Sequence, residues 1–383
     1  MERTPAMPIL AAAGAILLIF IVLWDAFETI ILPRRVTRRL RIARVVYSLT
    51  WAPWASWARH MRDNSRRELF LSFYGPLALI FLLSVWVVLL ILGYAIIQWA
   101  LGSALITPIG TGHAGFGTDL YMSGTTFFTL GLGDVVPDTP LARVATVAEA
   151  GTGFGILALV IGYLPVLYQA FSRREANITL LDARAGSPPS AGEMLRRNCY
   201  QSESEAIRQL LSEWERWSAE LLESHLSYPS LGYFRSQHDN QSWLAALTCL
   251  LDVCALIMAG IDGLPTKQAR LTFAIARHAA VDLSQVFNAP PHTPEDDRLP
   301  PADVERLRSL LEVEGLILHW DEAAIQKLTK LRHFYEPYVH ALSHHLLLDL
   351  PPWLPAPDAH DDWQTSTWER SNVAPPAPMQ MHS

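Results

Sequence analysis

Residues 75–99 run for 25 positions without one charged side chain. Wound as a helix, that stretch is long enough to span the hydrocarbon core of a bilayer, and it constrains the fold more than any other feature. Two further runs share its character. Residues 8–32 open like the apolar core of a secretion signal. Trp24-Asp25-Ala26-Phe27-Glu28 follows in place of a small-residue cleavage pattern, so the run reads as a retained membrane helix. Asp25 and Glu28 fall near its end, within reach of water or of the arginines that follow, where a charge is cheaper than at mid-bilayer. Residues 144–171 carry one charge, Glu149, which should face protein or a water-filled path; a helix contact and a pore-related role both fit it.

Charge asymmetry orients these three spans. Arg34, Arg35, Arg38, Arg39, Arg41 and Arg44, then Arg59, Arg62, Arg66 and Arg67, lie between the first two. No Lys or Arg occurs between Leu101 and Ala142, and Arg173 and Arg174 follow the third span. The excess of arginine predicts that 33–74 and the C-terminal half are cytoplasmic, with the N-terminus and 100–143 outside, in the cell (inner) membrane. Trp51, Trp54 and Trp57 recur every third residue within the cytoplasmic loop. On a helix they form one stripe, suited to the headgroup zone of the inner leaflet or to packing on the neighbouring spans.

Between the second and third spans, Ser123-Gly124-Thr125-Thr126-Phe127-Phe128 leads into Thr129-Leu130-Gly131-Leu132-Gly133-Asp134. A monovalent cation gives up its water only to a wall of replacement oxygens, and backbone carbonyls supply these without a full charge that would trap it. Aiming consecutive carbonyls at one axis needs dihedrals that a Cβ disfavours, and Gly131 and Gly133 supply them at alternate positions. Non-helical backbone at membrane depth is tolerated only when buried or lining a cavity. Thr129 adds a hydroxyl at the inner end.

Residues 75–174 resemble the pore domain of potassium channels, in the order outer helix, pore helix, filter, inner helix. The family filter reads Thr-Val-Gly-Tyr-Gly-Asp, and Pro137, Thr139, Pro140 and Arg143 match a common continuation of it. The resemblance implies an all-α membrane protein whose filter is Thr129, Leu130, Gly131, Leu132 and Gly133. It departs at Leu132, where the family usually has Tyr, and at Tyr121-Met122, where it has a Trp pair. A Gly-Leu-Gly filter resembles the second pore loop of animal two-pore-domain potassium channels, so selectivity for potassium and a less selective monovalent cation pore are both open. One pore loop cannot encircle an ion, so a homotetramer is expected. Asp134, Asp138 and Asp119 would make its outer mouth negative. Gly153 falls at the family's hinge position; Gly151 nearby and Pro165 further along could also bend the inner helix, and tight packing without bending is the rival for Gly153. The expected cofactors are none beyond permeant K+ or another monovalent cation, and the expected partners are copies of the chain and lipid.

The remainder divides into a first membrane helix (1–32), a loop with an interfacial helix (33–74), the pore domain (75–172), a linker (173–192), a helical cytoplasmic domain (193–350) and a disordered proline-rich tail (351–383). Ser202 and Glu205 form a capping box, followed by Ile207, Leu210, Leu211, Trp214, Trp217 and Leu221 at helical spacing. Helices are expected near 241–260, 266–288, 302–318 and 321–349, with Pro337 kinking or splitting the last. Residues 243–260 are apolar enough for a fourth span, but Asp252 at the centre favours a buried bundle helix. His340 and His344 share a helical face without a carboxylate or Cys at ligand spacing, which favours a packed or solvated face over a metal. Cys199, Cys249 and Cys254 show no metal spacing and read as reduced, partly buried thiols.

A net charge of −7 disfavours a general nucleic-acid binder. Gly110-Thr111-Gly112-His113-Ala114-Gly115 fits a dinucleotide fingerprint literally but follows no strand. With no nucleophile–base set or nucleotide loop, an enzyme is not expected. A non-conducting membrane sensor or scaffold with a degenerate pore is the rival from another class.

Overall fold

The computed structural model describes residues 6–32, 41–103, 105–106, 115–199, 204–238, 240–293 and 296–355. The arginines at 34–39, the capping residue Ser202, positions 110–114 and the tail beyond 355 lie outside the described residues. The chain forms two compact units, Met1–Arg62 with Phe73–Gln169, and Asp63–Ser72 with Ala170–Ser383.

The first unit is built on α1 (Ala6–Ala26), α2 (Ile42–Arg59), α4 (Tyr74–Ala100), α5 (Phe116–Phe127) and the part of α6 (Pro140–Ala185) up to Gln169. By length and apolarity, the helical stretches Met7–Ile31, Asn64–Ala100 and Pro140–Ala185 can cross a membrane. Ile19, Val22 and Ala26 of α1 pack with Leu82, Trp86 and Leu90 of α4. At this crossing a Cβ on Gly93 would stand 2.7 Å from the Ile19 side chain, so glycine lets the helices approach.

Asp25 is fully buried, beside one of the arginines that follow the run and away from water. One of its oxygens accepts from the Ala43 amide and the Trp86 indole, each at 3.0 Å, and Arg41 lies 3.8 Å from the other. It thereby caps α2 from a different helix, taking an amide that has no partner within α2. Trp51 and Trp54 of the aromatic stripe pack on the Tyr74 ring at 4.7 and 5.8 Å, whereas Trp57 is exposed.

The second unit contains α3 (Asn64–Ser72), the end of α6, and α7 (Ala191–Asn198) to α13 (Glu336–Leu346). Helix α9 (Trp243–Gly260), apolar enough to span a membrane, is enclosed by α8 (Ser204–Ser227), α10 (Thr266–Val286) and their neighbours. Asp252 explains its polarity: Arg298 donates to it at 2.7 and 3.2 Å, and Tyr335 at 2.5 Å. Arg298 also reaches the Pro351 carbonyl at 2.8 Å. Arg298→Ala would strand Asp252 as a buried unpaired charge and is expected to destabilise this unit by about 3–5 kcal/mol, read as an earlier thermal unfolding transition of the full chain.

The expected linker 173–192 is corrected at both ends. Helix α6 continues to Ala185 because Ile178, Leu181 and Ala185 bury into the second unit, and only Gly186–Ser190 forms a turn before Ser190 caps α7. Arg174 is itself buried, donating to the Leu231 and Phe234 carbonyls at 2.9 and 2.8 Å and to Glu175 at 2.9 Å. The first residues of the expected tail are ordered too, with Trp353 buried in the same core. The expected helix 321–349 is split, as α12 (Glu322–His333) and α13, with Pro337 in the first turn of α13.

His292 joins His340 and His344, with ring centroids 6.4 and 6.3 Å apart, but no three metal-capable side chains group together among the described residues. Burial pushes the His340 imidazole down to about 4, so it packs as a neutral ring. All three cysteines are free and buried, and burial pushes the Cys199 thiol up to about 12. Native protein is therefore expected to resist maleimide at neutral pH and to take up three labels only after unfolding.

Candidate functional site

Helix α5 sits between α4 and α6 and ends at the glycine-rich loop. Its last turn closes in a Schellman motif: the Leu130 amide donates to the Thr125 carbonyl at 2.8 Å, and the Thr129 amide to the Thr126 carbonyl at 2.9 Å. Thr129 takes the left-handed position at φ 57°. Glycine is usual there, and a β-branched residue in that region is a true outlier, of the kind that concentrates at functional sites.

Left-handed backbone then recurs at Gly131 (φ 54°) and Gly133 (φ 77°). Residues 129, 131 and 133 thus alternate with 130 and 132, which lack positive φ. Alternation of hand is what a run of carbonyls needs to face one side, whereas a strand would alternate them across two. Phe128 to Asp134 are exposed in the protomer, the apolar Leu130 and Leu132 among them.

The flanks are tied to the scaffold. Leu105–Ile106 (β1) pairs antiparallel with Val136–Pro137 (β2), and the Arg143 side chain donates to the Pro137 carbonyl at 3.2 Å. Asp134 accepts from the Tyr121 hydroxyl at 2.9 Å, so Tyr121 links the middle of α5 to the end of the loop. Asp138 is exposed. Asp119 departs from the expectation of an outer-mouth charge. It is fully buried in the first turn of α5, where Ser103 donates to it at 2.7 Å and the helix N-terminus favours a negative group.

Polar pairs stitch α4 to α6 at three levels. Gln98 donates to the Ala142 carbonyl at 3.2 Å and to Thr146 at 3.1 Å; the Tyr94 and Thr152 hydroxyls lie 2.9 Å apart; and Ser123 of α5 donates to the Ile91 carbonyl at 2.7 Å while touching Glu149. Of these contacts only that of Glu149 is signalled in the sequence, as the lone charge of its apolar run; Gln98, Tyr94, Thr146, Thr152 and Ser123 are ordinary polar residues with nothing to mark their partners.

Gly153 does not sit in open space. A Cβ there would stand 2.1 Å from the Phe127 carbonyl oxygen, so α6 and the end of α5 touch backbone to backbone. At Gly151 and Gly155 an added Cβ would meet no atom within 4 Å, and α6 runs unbroken through Pro165.

Residues 81–169, which hold this whole arrangement, match the protein family described as "Ion channel". The segment is therefore ion-channel-like, and its fold, helical apart from the short β1–β2 pair, agrees with that family. Over 193 residues the chain is also 24% identical to the uncharacterized membrane protein YdjJ of Bacillus subtilis (strain 168). That alignment covers 50% of this chain and 55% of YdjJ, so the chain spans about half the length of the curated relative that it matches. No solved structure matches.

Proposed function

We propose that the chain is one subunit of a homotetrameric cation channel of the inner membrane, selective for potassium, with residues 129–133 as its filter. The observation that carries this reading is the alternation of left-handed backbone at Thr129, Gly131 and Gly133, held at the end of a short helix between two membrane-length helices. Four copies would bring four such loops around one axis and cover the exposed Phe128, Leu130 and Leu132. In that assembly, carbonyls replace the hydration shell of a monovalent cation, and the Asp134 and Asp138 carboxylates raise its concentration at the mouth, an effect that weakens as salt rises. The arginine-rich loop and the second unit lie in the cytoplasm, following the positive-inside rule. Gly153 acts in this reading as a close-packing residue behind the filter.

Purified protein in liposomes tests the reading. Cation-selective flux from a particle whose mass in detergent equals four chains is the expected result. A membrane sensor or scaffold predicts no flux in any ionic condition, and a stable monomer would also overturn the proposal.

A further inference from the structure

Glu149 lies fully buried on α6, in a polar contact that joins α4, α5 and α6. Its neighbour is Ser123 of α5, also fully buried, and Ser123 in turn lies 2.7 Å from the Ile91 carbonyl of α4. A serine hydroxyl has one proton to give, and a backbone carbonyl can only accept. If Glu149 were ionised, the Ser123 oxygen would face two acceptors with one proton, and one close oxygen–oxygen contact would be left without hydrogen. If Glu149 carries its proton, the chain is complete: the acid donates to Ser123, and Ser123 donates to Ile91.

The surroundings agree. The second oxygen of Glu149 is buried and has no hydrogen-bond partner among the described residues. An ionised carboxylate is far costlier to leave in that position than a neutral acid. The titratable groups on the packed elements offer no counter-charge. On α4, Tyr94 is engaged with Thr152; on α5, Asp119 is engaged with Ser103 and Tyr121 with Asp134; on α6, Arg143 is turned to the Pro137 carbonyl.

We propose that Glu149 is held as the neutral carboxylic acid and serves as a positioning residue for the filter, pinning α5 between α4 and α6 through Ser123. The pin enters α5 four residues before Phe127, the residue whose carbonyl meets Gly153 and whose turn opens the filter. A shift of α5 at Ser123 is passed rigidly to Thr129. The inference rests on the channel reading, and it adds a titratable lock: ionisation of Glu149 breaks the proton chain, so conduction falls as pH rises through that ionisation.

The test uses the full-length protein in liposomes, comparing wild type with Glu149→Gln, Glu149→Ala and Ser123→Ala. Infrared spectra should contain a protonated-carboxyl C=O band at neutral pH that is missing from Glu149→Gln. Glutamine keeps a donor at the same place, so flux through Glu149→Gln should stay close to wild type and lose the alkaline fall. The two alanine variants should lose about tenfold, the weight of one hydrogen bond in the population of the conducting state. A wild type without the neutral-acid band, or a Glu149→Gln variant as impaired as Glu149→Ala, would overturn the proposal. Absence of flux from the wild type would instead sink the channel reading, while the infrared band would still decide the protonation of Glu149.

Discussion

Gly153→Ala is expected to abolish cation flux and to lower the thermal stability of the membrane unit. The added methyl carbon would stand 2.1 Å from the Phe127 carbonyl oxygen, 2.9 Å from its carbon and 3.2 Å from its Cα. Each of these is backbone, so no flexible side-chain end can yield. Either α6 or α5 must shift to make room, and overpacking of this kind costs about 1–3 kcal/mol per site. Four subunits would carry the same collision around one filter. Gly155→Ala is the control, since a methyl there meets nothing within 4 Å in the protomer. A stable Gly153→Ala protein with wild-type flux would show that the backbone contact at Phe127 does not set the filter. Loss of flux with unchanged stability would point instead to a bend at Gly153.

Gly131→Ala is expected to remove selective conduction without disturbing either unit's helices. In the protomer a Cβ added at Gly131 meets nothing within 4 Å, so the effect within one chain is conformational rather than steric. An L-residue held at φ 54° costs roughly 1–2 kcal/mol, and four copies multiply it around the axis. Relaxing to negative φ would break the alternation with Thr129 and Gly133 and turn a carbonyl away. Circular dichroism should match wild type while the flux of potassium over sodium is lost. Retained selectivity would mean that the positive φ of Gly131 is not needed by the conducting form.

The three membrane-length helices, the short helix α5 and the positive φ of Gly131 and Gly133 are legible in the sequence, because each rests on local chemistry: apolar length, a Gly-x-Gly spacing, a proline starting α6. What is not legible depends on partners far away along the chain. The burial of Asp119 is set by Ser103, sixteen positions earlier. Arg67 of α3 pairs with Asp349, 282 positions later, and Glu68 with Arg235, so α3 belongs with the C-terminal unit although it leads directly to α4. Thr129 advertises a hydroxyl, and nothing in a threonine announces positive φ. Helix α6 outruns the expected linker because 175–185 lacks a strong apolar pattern, yet Ile178 and Leu181 suffice once a core is present to receive them. The aromatic stripe divides, because packing on Tyr74 claims Trp51 and Trp54 and leaves Trp57 at the surface. At Gly153 the close-packing alternative describes the geometry found.

In the proposed channel, Leu132 is the residue that bears most on selectivity. A leucine cannot donate the hydrogen bond by which a tyrosine at this position ties a filter to its surroundings. In this chain, the Tyr121–Asp134 bond and the β1–β2 pairing hold the loop from its C-terminal side instead. Both contacts lie within one protomer, so they would restrain the loop without help from a neighbouring copy.

The most direct measurement is the reversal potential of single-channel currents from the purified protein, with potassium on one side of a planar bilayer and sodium on the other. A carbonyl filter of four chains predicts unitary currents that reverse close to the potassium equilibrium potential. A bilayer that stays silent in every cation tried, with correctly folded protein incorporated, would contradict it.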